Sequence, residues 1–163
     1  MGALSVLTAT AFITVGANGP EDPSLAGVPG FSEVGFSVAT AASPSPAGRF
    51  CALLADTDAR RAQGLMGRRD LGGFDAMVFT FPDDTTGAFY MRNVPVPLSI
   101  AWFDANGRFV SSSDMAPCPD RDGCPTYAPP GPYRTAVEVL QGDLARLGLG
   151  PETTLAVGGS CTG

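Results

Sequence analysis

Between positions 89 and 93 the chain reads Phe-Tyr-Met-Arg-Asn; in an extended strand, Tyr90 and Arg92 project from one face and Phe89, Met91 and Asn93 from the other. That spacing sets a guanidinium beside a phenol. Such a pair suits a carboxylate or a sugar hydroxyl, with Arg offering a forked donor and the ring an apolar floor. The same spacing equally describes an Arg lying over a Tyr on a solvated sheet face. Acid-pair hydrolysis is a second chemistry open to the chain. Its candidates are Asp75, Asp83, Asp84, Asp104 and Glu138, since two carboxylates across a cleft cleave a glycoside without histidine. Asp83, Asp84 and Asp104 fall in turn sequences, where Asp bonds its own backbone, and that reading prevails for them. Soft-metal binding is the third. Met66, Met77, Met91 and Met115 together with cysteines could hold Cu(I). Met at apolar strand positions ordinarily fills a core, however, and oxidised cysteines are not ligands. Asp120-Arg121-Asp122-Gly123 matches the opening of a calcium loop but lacks the third acidic position and the distal Glu. No metal, no cofactor and no catalytic residue is assigned.

Composition narrows the field further. The 163 residues carry a formal charge of -6, and all ten basic residues are Arg, with neither Lys nor His. An acidic chain has no long-range field for phosphate backbones, so a nucleic-acid partner is not expected. The absence of His removes the usual general base near neutral pH and the commonest metal ligand.

Four cysteines, Cys51, Cys118, Cys124 and Cys161, permit three full pairings. Cys118 and Cys124 lie six positions apart with Pro119 and Gly123 between them, which makes a tight local bridge easy. Cys51 and Cys161 then remain, near the two ends of the domain. Joining them would staple its first strand to its last, contributing about 4 to 5 kcal/mol in the chain-entropy model. Four separate buried thiols and a metal site are the other readings; a single CxxxxxC without His is a poor zinc signature. The disulfide reading requires export. Residues 1–17 are uncharged and apolar or small, and Val15-Gly16-Ala17 fits a cleavage site, so the segment is assigned as a signal peptide or a short anchor, although its start lacks Lys or Arg.

These groups need a scaffold to position them, and the chain predicts one β-rich domain over residues 49–163. Residues 18–48, rich in Pro, Gly, Ser and Ala, read as a tether, with Phe31, Val34, Phe36 and Val38 alternating enough to lay a piece on the domain as an edge strand. The run 50–55 is a strand. A helix over about 57–66 follows, capped by Asp56 or Thr57 and stopped by Gly67, with Ala59, Ala62 and Met66 on its apolar face and Arg68 and Arg69 at its negative end. Met77, Phe79 and Phe81 line one face of the next strand before a turn at Pro82-Asp83-Asp84, and a returning strand covers 88–93. Pro95 and Pro97 place the following link at an edge or bulge. Leu98, Ile100 and Trp102 share a strand face, residues 104–107 form a hairpin turn into 108–113, and a long proline-rich loop covers 115–132. Strands at 135–140 and 153–157, with a turn or short helix at 142–147, complete the domain. Glu138 falls on the face opposite Val137 and Val139. Short strands separated by turns, with one early helix, predict a mainly β fold, a compact β-sandwich or distorted barrel.

Read together, GLMGR at 64–68, the apolar strand ending in Phe-Thr-Phe at 79–81, FYMRN at 89–93 and PVPLSIAWFDANG at 95–107 resemble the domain of unknown function 192 family, over about 52–157. The resemblance implies a secreted or periplasmic single domain, jelly-roll-like, whose biochemical role is not established. It groups Met66, Arg68, Tyr90, Arg92 and Asn93 along one shared groove. It also retains an AxEVxxG pattern as Ala136, Glu138, Val139 and Gly142, leaving Glu138 either a carboxylate partner for an Arg or a surface charge. Two positions depart from the family: Val94 stands where Thr is usual, and Ser99 where Asp follows Pro-Leu. A role resting on that Asp would be lost here.

The function expected is an exported, non-catalytic module. Met66, Arg68, Tyr90, Arg92, Asn93 and Glu138 would bind a small anionic or polyhydroxylated ligand, or an extracytoplasmic partner protein. Membrane attachment is expected only through residues 1–17. The competing expectation is an extracytoplasmic, carboxylate-dependent hydrolase of cell-envelope glycan.

Overall fold

The computed structural model describes residues 28–45 and 48–161, so the segment assigned as signal or anchor lies outside the described residues. In chain order the elements are β1 (Ser32–Thr40), β2 (Arg49–Ala55), α1 (Asp58–Gln63), β3 (Ala76–Thr85), β4 (Phe89–Tyr90), β5 (Leu98–Phe103), β6 (Phe109–Met115), β7 (Thr126–Tyr127), β8 (Tyr133–Leu140) and β9 (Thr153–Val157). The protein is mainly β with one short helix, as the sequence predicts, and its main sheet curls into half of a barrel. Seven strands form it in the order β6-β5-β8-β3-β2-β1-β9, while β4 and β7 pair in a small separate sheet. β2 and β3 run parallel, joined across α1, and the other neighbours are antiparallel.

Period-two alternation explains where the core lies. Leu53 and Ala55 of β2, Met77 and Phe79 of β3, Ile100 and Trp102 of β5 and Ala136 of β8 pack in one apolar cluster. Their alternating neighbours Ala52, Val78, Ala101, Phe103, Val137 and Val139 pack in a second. The sheet is therefore covered on both faces. Every residue of β5 is buried, which its run of apolar side chains around Ser99 foreshadows.

Several local expectations change. The stretch expected as a tether contributes β1, which pairs with both β2 and β9 and so sits inside the sheet rather than at its edge. α1 ends at Gln63, before the Gly67 stop, because Gly64 takes a positive φ of 45° and its N–H caps the Arg60 carbonyl. The helix buries none of its side chains, and Arg60 and Arg61, not Arg68 and Arg69, occupy its last turn. Thr57 is the N-cap, its hydroxyl accepting from the Arg60 amide at 3.3 Å. β3 continues through Pro82-Asp83-Asp84 instead of turning there; its register with β8 breaks between Thr80 and Thr85, an irregularity that accommodates a residue without an N–H. The returning strand shrinks to Phe89–Tyr90, and its partner is β7 in the proline-rich loop.

Both cysteine pairings expected from the sequence are present. Cys51 is joined to Cys161 with Cα atoms 5.2 Å apart, and Cys118 to Cys124 at 5.9 Å. The first ties β2 to the segment after β9. The sheet's two end strands also meet at one corner: the Leu155 amide donates to the Gly107 carbonyl at 2.7 Å, and Arg108 bridges to Thr154. Gly107, at φ 73°, permits this approach, since a Cβ there would overlap the Leu155 carbonyl oxygen.

Candidate functional site

A cavity of about 240 Å³ opens beside the first apolar cluster. β3 supplies Phe79 and Phe81, the β4 segment Phe89 and Tyr90, and β8 Tyr133 and Glu138; Arg61 and the turn through Leu65 and Met66 wall the remaining side. Phe79 and Phe81 reach this space as alternate residues of β3, whereas Phe89 and Tyr90 are neighbours on β4 and Tyr133 enters beyond the break in the β3–β8 register, where it meets Phe81. Glu138 is paired with Met77 on one side and Ile100 on the other, so it shares their face and not that of Val137 and Val139.

The rings form a connected set. Phe79 meets Phe89 edge-on at 5.1 Å and Phe81 meets Tyr133 edge-on at 5.4 Å, while Phe89 lies 6.1 Å from Tyr133. Trp102 backs them, 6.5 Å from Tyr133, and its buried Nε1 has no hydrogen-bond partner among the described residues. The Tyr133 hydroxyl donates to the Gly87 carbonyl at 2.8 Å, and burial pushes its pKa up to about 12. Tyr90 stands at the rim, 45% exposed.

Glu138 is the polar feature of this space. It is only 5% exposed, and among the described residues none is hydrogen-bonded or ion-paired to its carboxyl. Burial among apolar groups pushes its pKa up to about 8, so the carboxyl is mostly protonated at neutral pH. Arg61 is not its counter-ion. The Arg61 guanidinium donates to the Thr80 carbonyl and to Asp58, each at 2.6 Å, and lies 5.0 Å from the Phe81 ring centre.

Of the residues singled out in the sequence, the structure gathers Met66, Tyr90 and Glu138 at this cavity. Arg92 turns instead to the small-bridge loop, donating to Asp120 at 2.7 Å and to Asp122 at 3.2 Å; the Asp120 bond is the chief reason its pKa is raised. Arg68 donates to the Asp70 carbonyl and lies 3.4 Å from its carboxylate. Asn93 contributes backbone: at φ 56° its carbonyl accepts from the Gly67 amide at 2.6 Å, which fastens the GLMGR turn to the FYMRN segment. The two signature stretches therefore adjoin, although their cations leave the cavity. Glu138 alone among the acidic candidates lines it. Asp75 accepts from the Cys51 amide, Asp84 pairs with Arg134, and Asp104 accepts from the Asn106 and Arg108 amides of its own turn.

Ser99 shows what stands at the departed family position. Its hydroxyl donates to Asp114 at 2.6 Å and accepts from the Gly142 amide at 3.1 Å. The bonds from Ser99 and then Gln141 hold the Asp114 carboxyl below its usual pKa. The side chains that sequence reasoning missed are Arg61, Phe79, Phe81, Phe89 and Tyr133. Their signal was present only as alternating aromatics, which read as core; an acid set between two core valines on β8 was the better pointer. Among the described residues no cluster of three or more acidic or cysteine ligands is placed to hold a metal ion.

Residues 40–157 match the profile of DUF192, described as an uncharacterized ACR. Among solved structures, the chain is similar to a putative transcription regulator from Sinorhizobium meliloti 1021, at 22% identity over 80% of this chain and 98% of that one, with a TM-score of 0.65. At that identity the likeness is one of fold alone. It is also similar to a protein of unknown function from Novosphingobium aromaticivorans DSM 12444, at 26% identity over 85% of this chain and 99% of that one, with a TM-score of 0.65. No curated protein matches the chain.

Proposed function

The chain belongs to the DUF192 family, and from that premise we propose that it is an exported, non-catalytic binding module whose small ligand seats in the aromatic cavity against Glu138. The observation that carries this reading is the Glu138 carboxyl in the ring-lined cavity, without a hydrogen-bond or ion-pair partner among the described residues. A buried polar group without a partner costs folding free energy, and such groups concentrate where a ligand completes them. The ligand has an apolar or ring-stacking body and one polar group. Polyhydroxylated molecules fall within that class, because aromatic faces stack against sugar rings. Arg92, engaged by two Asp side chains, is not the anchor.

A single carboxylate at the cavity among the described residues supports binding over two-carboxylate hydrolysis. Two disulfides support an oxidising location outside the cytosol. No helix among the described residues is long and apolar enough to cross a membrane.

Benzyl alcohol is a suitable first probe, read by thermal shift. Saturable stabilisation should appear in the parent, persist in Arg92→Ala and vanish in Phe89→Trp, which fills the cavity. Loss in Arg92→Ala with retention in Phe89→Trp would move the site to the Tyr90 and Arg92 side. Turnover of envelope glycan by the parent, abolished in Glu138→Gln, would overturn the non-catalytic assignment.

A further inference from the structure

We propose that the ligand is an organic ammonium ion, its cationic head held among Phe79, Phe89, Tyr90 and Tyr133 with its N–H groups on the Glu138 carboxylate. This deepens the cavity reading above and rests on it. Ring faces carry partial negative charge, and a cation within about 6 Å of several of them is attracted most strongly where water is excluded. The carboxylate beneath supplies the full counter-charge and the acceptors that ammonium hydrogens require.

The protein already uses this chemistry at the cavity's margin, where the Arg61 guanidinium lies over Phe81. That cation is paired with Asp58 on the solvent side, so it is no counter-ion for Glu138 when a ligand ionises it. The chain contains no Lys, and thus no ammonium side chain to fill the position itself. A carboxylate ligand would take one hydrogen bond from the protonated acid but bring its negative charge against the ring faces, with Arg61 already paired to Asp58. A neutral ligand would accept one hydrogen bond from the protonated acid and leave the rings' electrostatics unused.

The two remaining classes differ in proton count. Entry of R–NH3+ converts Glu–COOH to Glu–COO− and releases that proton to solvent, whereas a neutral ligand releases none. Other charged or titratable groups facing the cavity are Arg61 from α1, Tyr90 from β4 and Tyr133 from β8. Arg61 is paired, Tyr133 is pushed up to about 12, and the packed partners of Glu138 on β3 and β5 are Met77 and Ile100. The exchangeable proton near neutrality is that of Glu138, held up to about 8 by burial.

Isothermal titration of the intact chain, disulfides oxidised, with benzylammonium, benzyl alcohol and benzoate tests this. At pH 6.5, in two buffers of different ionisation enthalpy, benzylammonium should bind at least tenfold tighter than benzyl alcohol and release close to one proton. Its affinity should rise about tenfold per pH unit between pH 5.5 and 7.5, while that of benzyl alcohol stays flat. Benzoate should not bind. Glu138→Gln should weaken benzylammonium at least tenfold and spare benzyl alcohol. Equal or tighter binding of benzyl alcohol, or benzylammonium binding without proton release, overturns the ammonium assignment and leaves the cavity reading standing. Failure of all three probes to bind at millimolar concentration overturns both.

Discussion

Glu138→Gln keeps the shape of the side chain and removes its titration, and its effect on stability follows from the structure. Burial raises the folded-state pKa from 4.5 to about 8, so between those values the folded protein binds a proton that the unfolded chain has lost. The native state of the parent therefore weakens as pH rises through that window. Each pH unit amounts to about 1.4 kcal/mol, and the three and a half units between 4.5 and about 8 give a total of about 5 kcal/mol, of which about 3 kcal/mol has accumulated by pH 7. The variant lacks this dependence, while other titrations are common to both proteins and cancel. Guanidinium unfolding of the pair from pH 5 to 9, bridges intact, should show the stability difference moving in favour of the variant up to about pH 8 and then levelling. A constant offset from hydrogen bonding of the Gln amide leaves this slope unaltered. A difference that stays flat between pH 5 and 8 would refute the burial argument, because it would place the carboxyl in contact with water or a hidden cation.

Two further perturbations probe how the scaffold is closed. Cys161→Ala opens a link across 110 positions and should lower stability by about 2 to 5 kcal/mol in denaturant unfolding; an unchanged midpoint would mean that the pair is not joined in solution. Gly107→Ala forces a Cβ onto the Leu155 carbonyl oxygen at a positive φ, and should cost roughly 1 to 3 kcal/mol. Faster hydrogen exchange at the Leu155 amide would locate the damage at the β9 corner, and unaltered exchange there would dismiss the contact.

The strands were legible wherever apolar alternation met a clear turn. Leu98, Ile100 and Trp102 lie on one face of β5, and Asp104 closes its hairpin. Cysteine spacing sufficed for both bridges. The errors came from long-range pairing that composition does not encode. β1 is recruited between β2 and β9 although its surroundings read as tether, and β3 runs on through Pro82 because β8 tolerates a broken register. At the site, sequence periodicity put Tyr90 beside Arg92, but a strand of only Phe89–Tyr90 releases Arg92 to the acids of the bridged loop. Glu138 was identified as a carboxylate worth following. Its depth was not visible, since exposure on an interior strand depends on which neighbours the sheet order brings alongside.

The crossover between β2 and β3 bears on how a guest molecule reaches the interior. Arg61 and Met66 wall the cavity from that crossover, and α1 carries no buried side chain. Exchange with solvent thus asks only for α1 to lift at the cost of a few polar bonds, such as those from Arg60 to Gly30 and from Arg61 to Thr80, while Leu65, Leu71 and Phe74 of the same crossover stay in the core. The doorway is separable in energy from the receptacle, whose walls on β3, β4 and β8 come from distant parts of the chain.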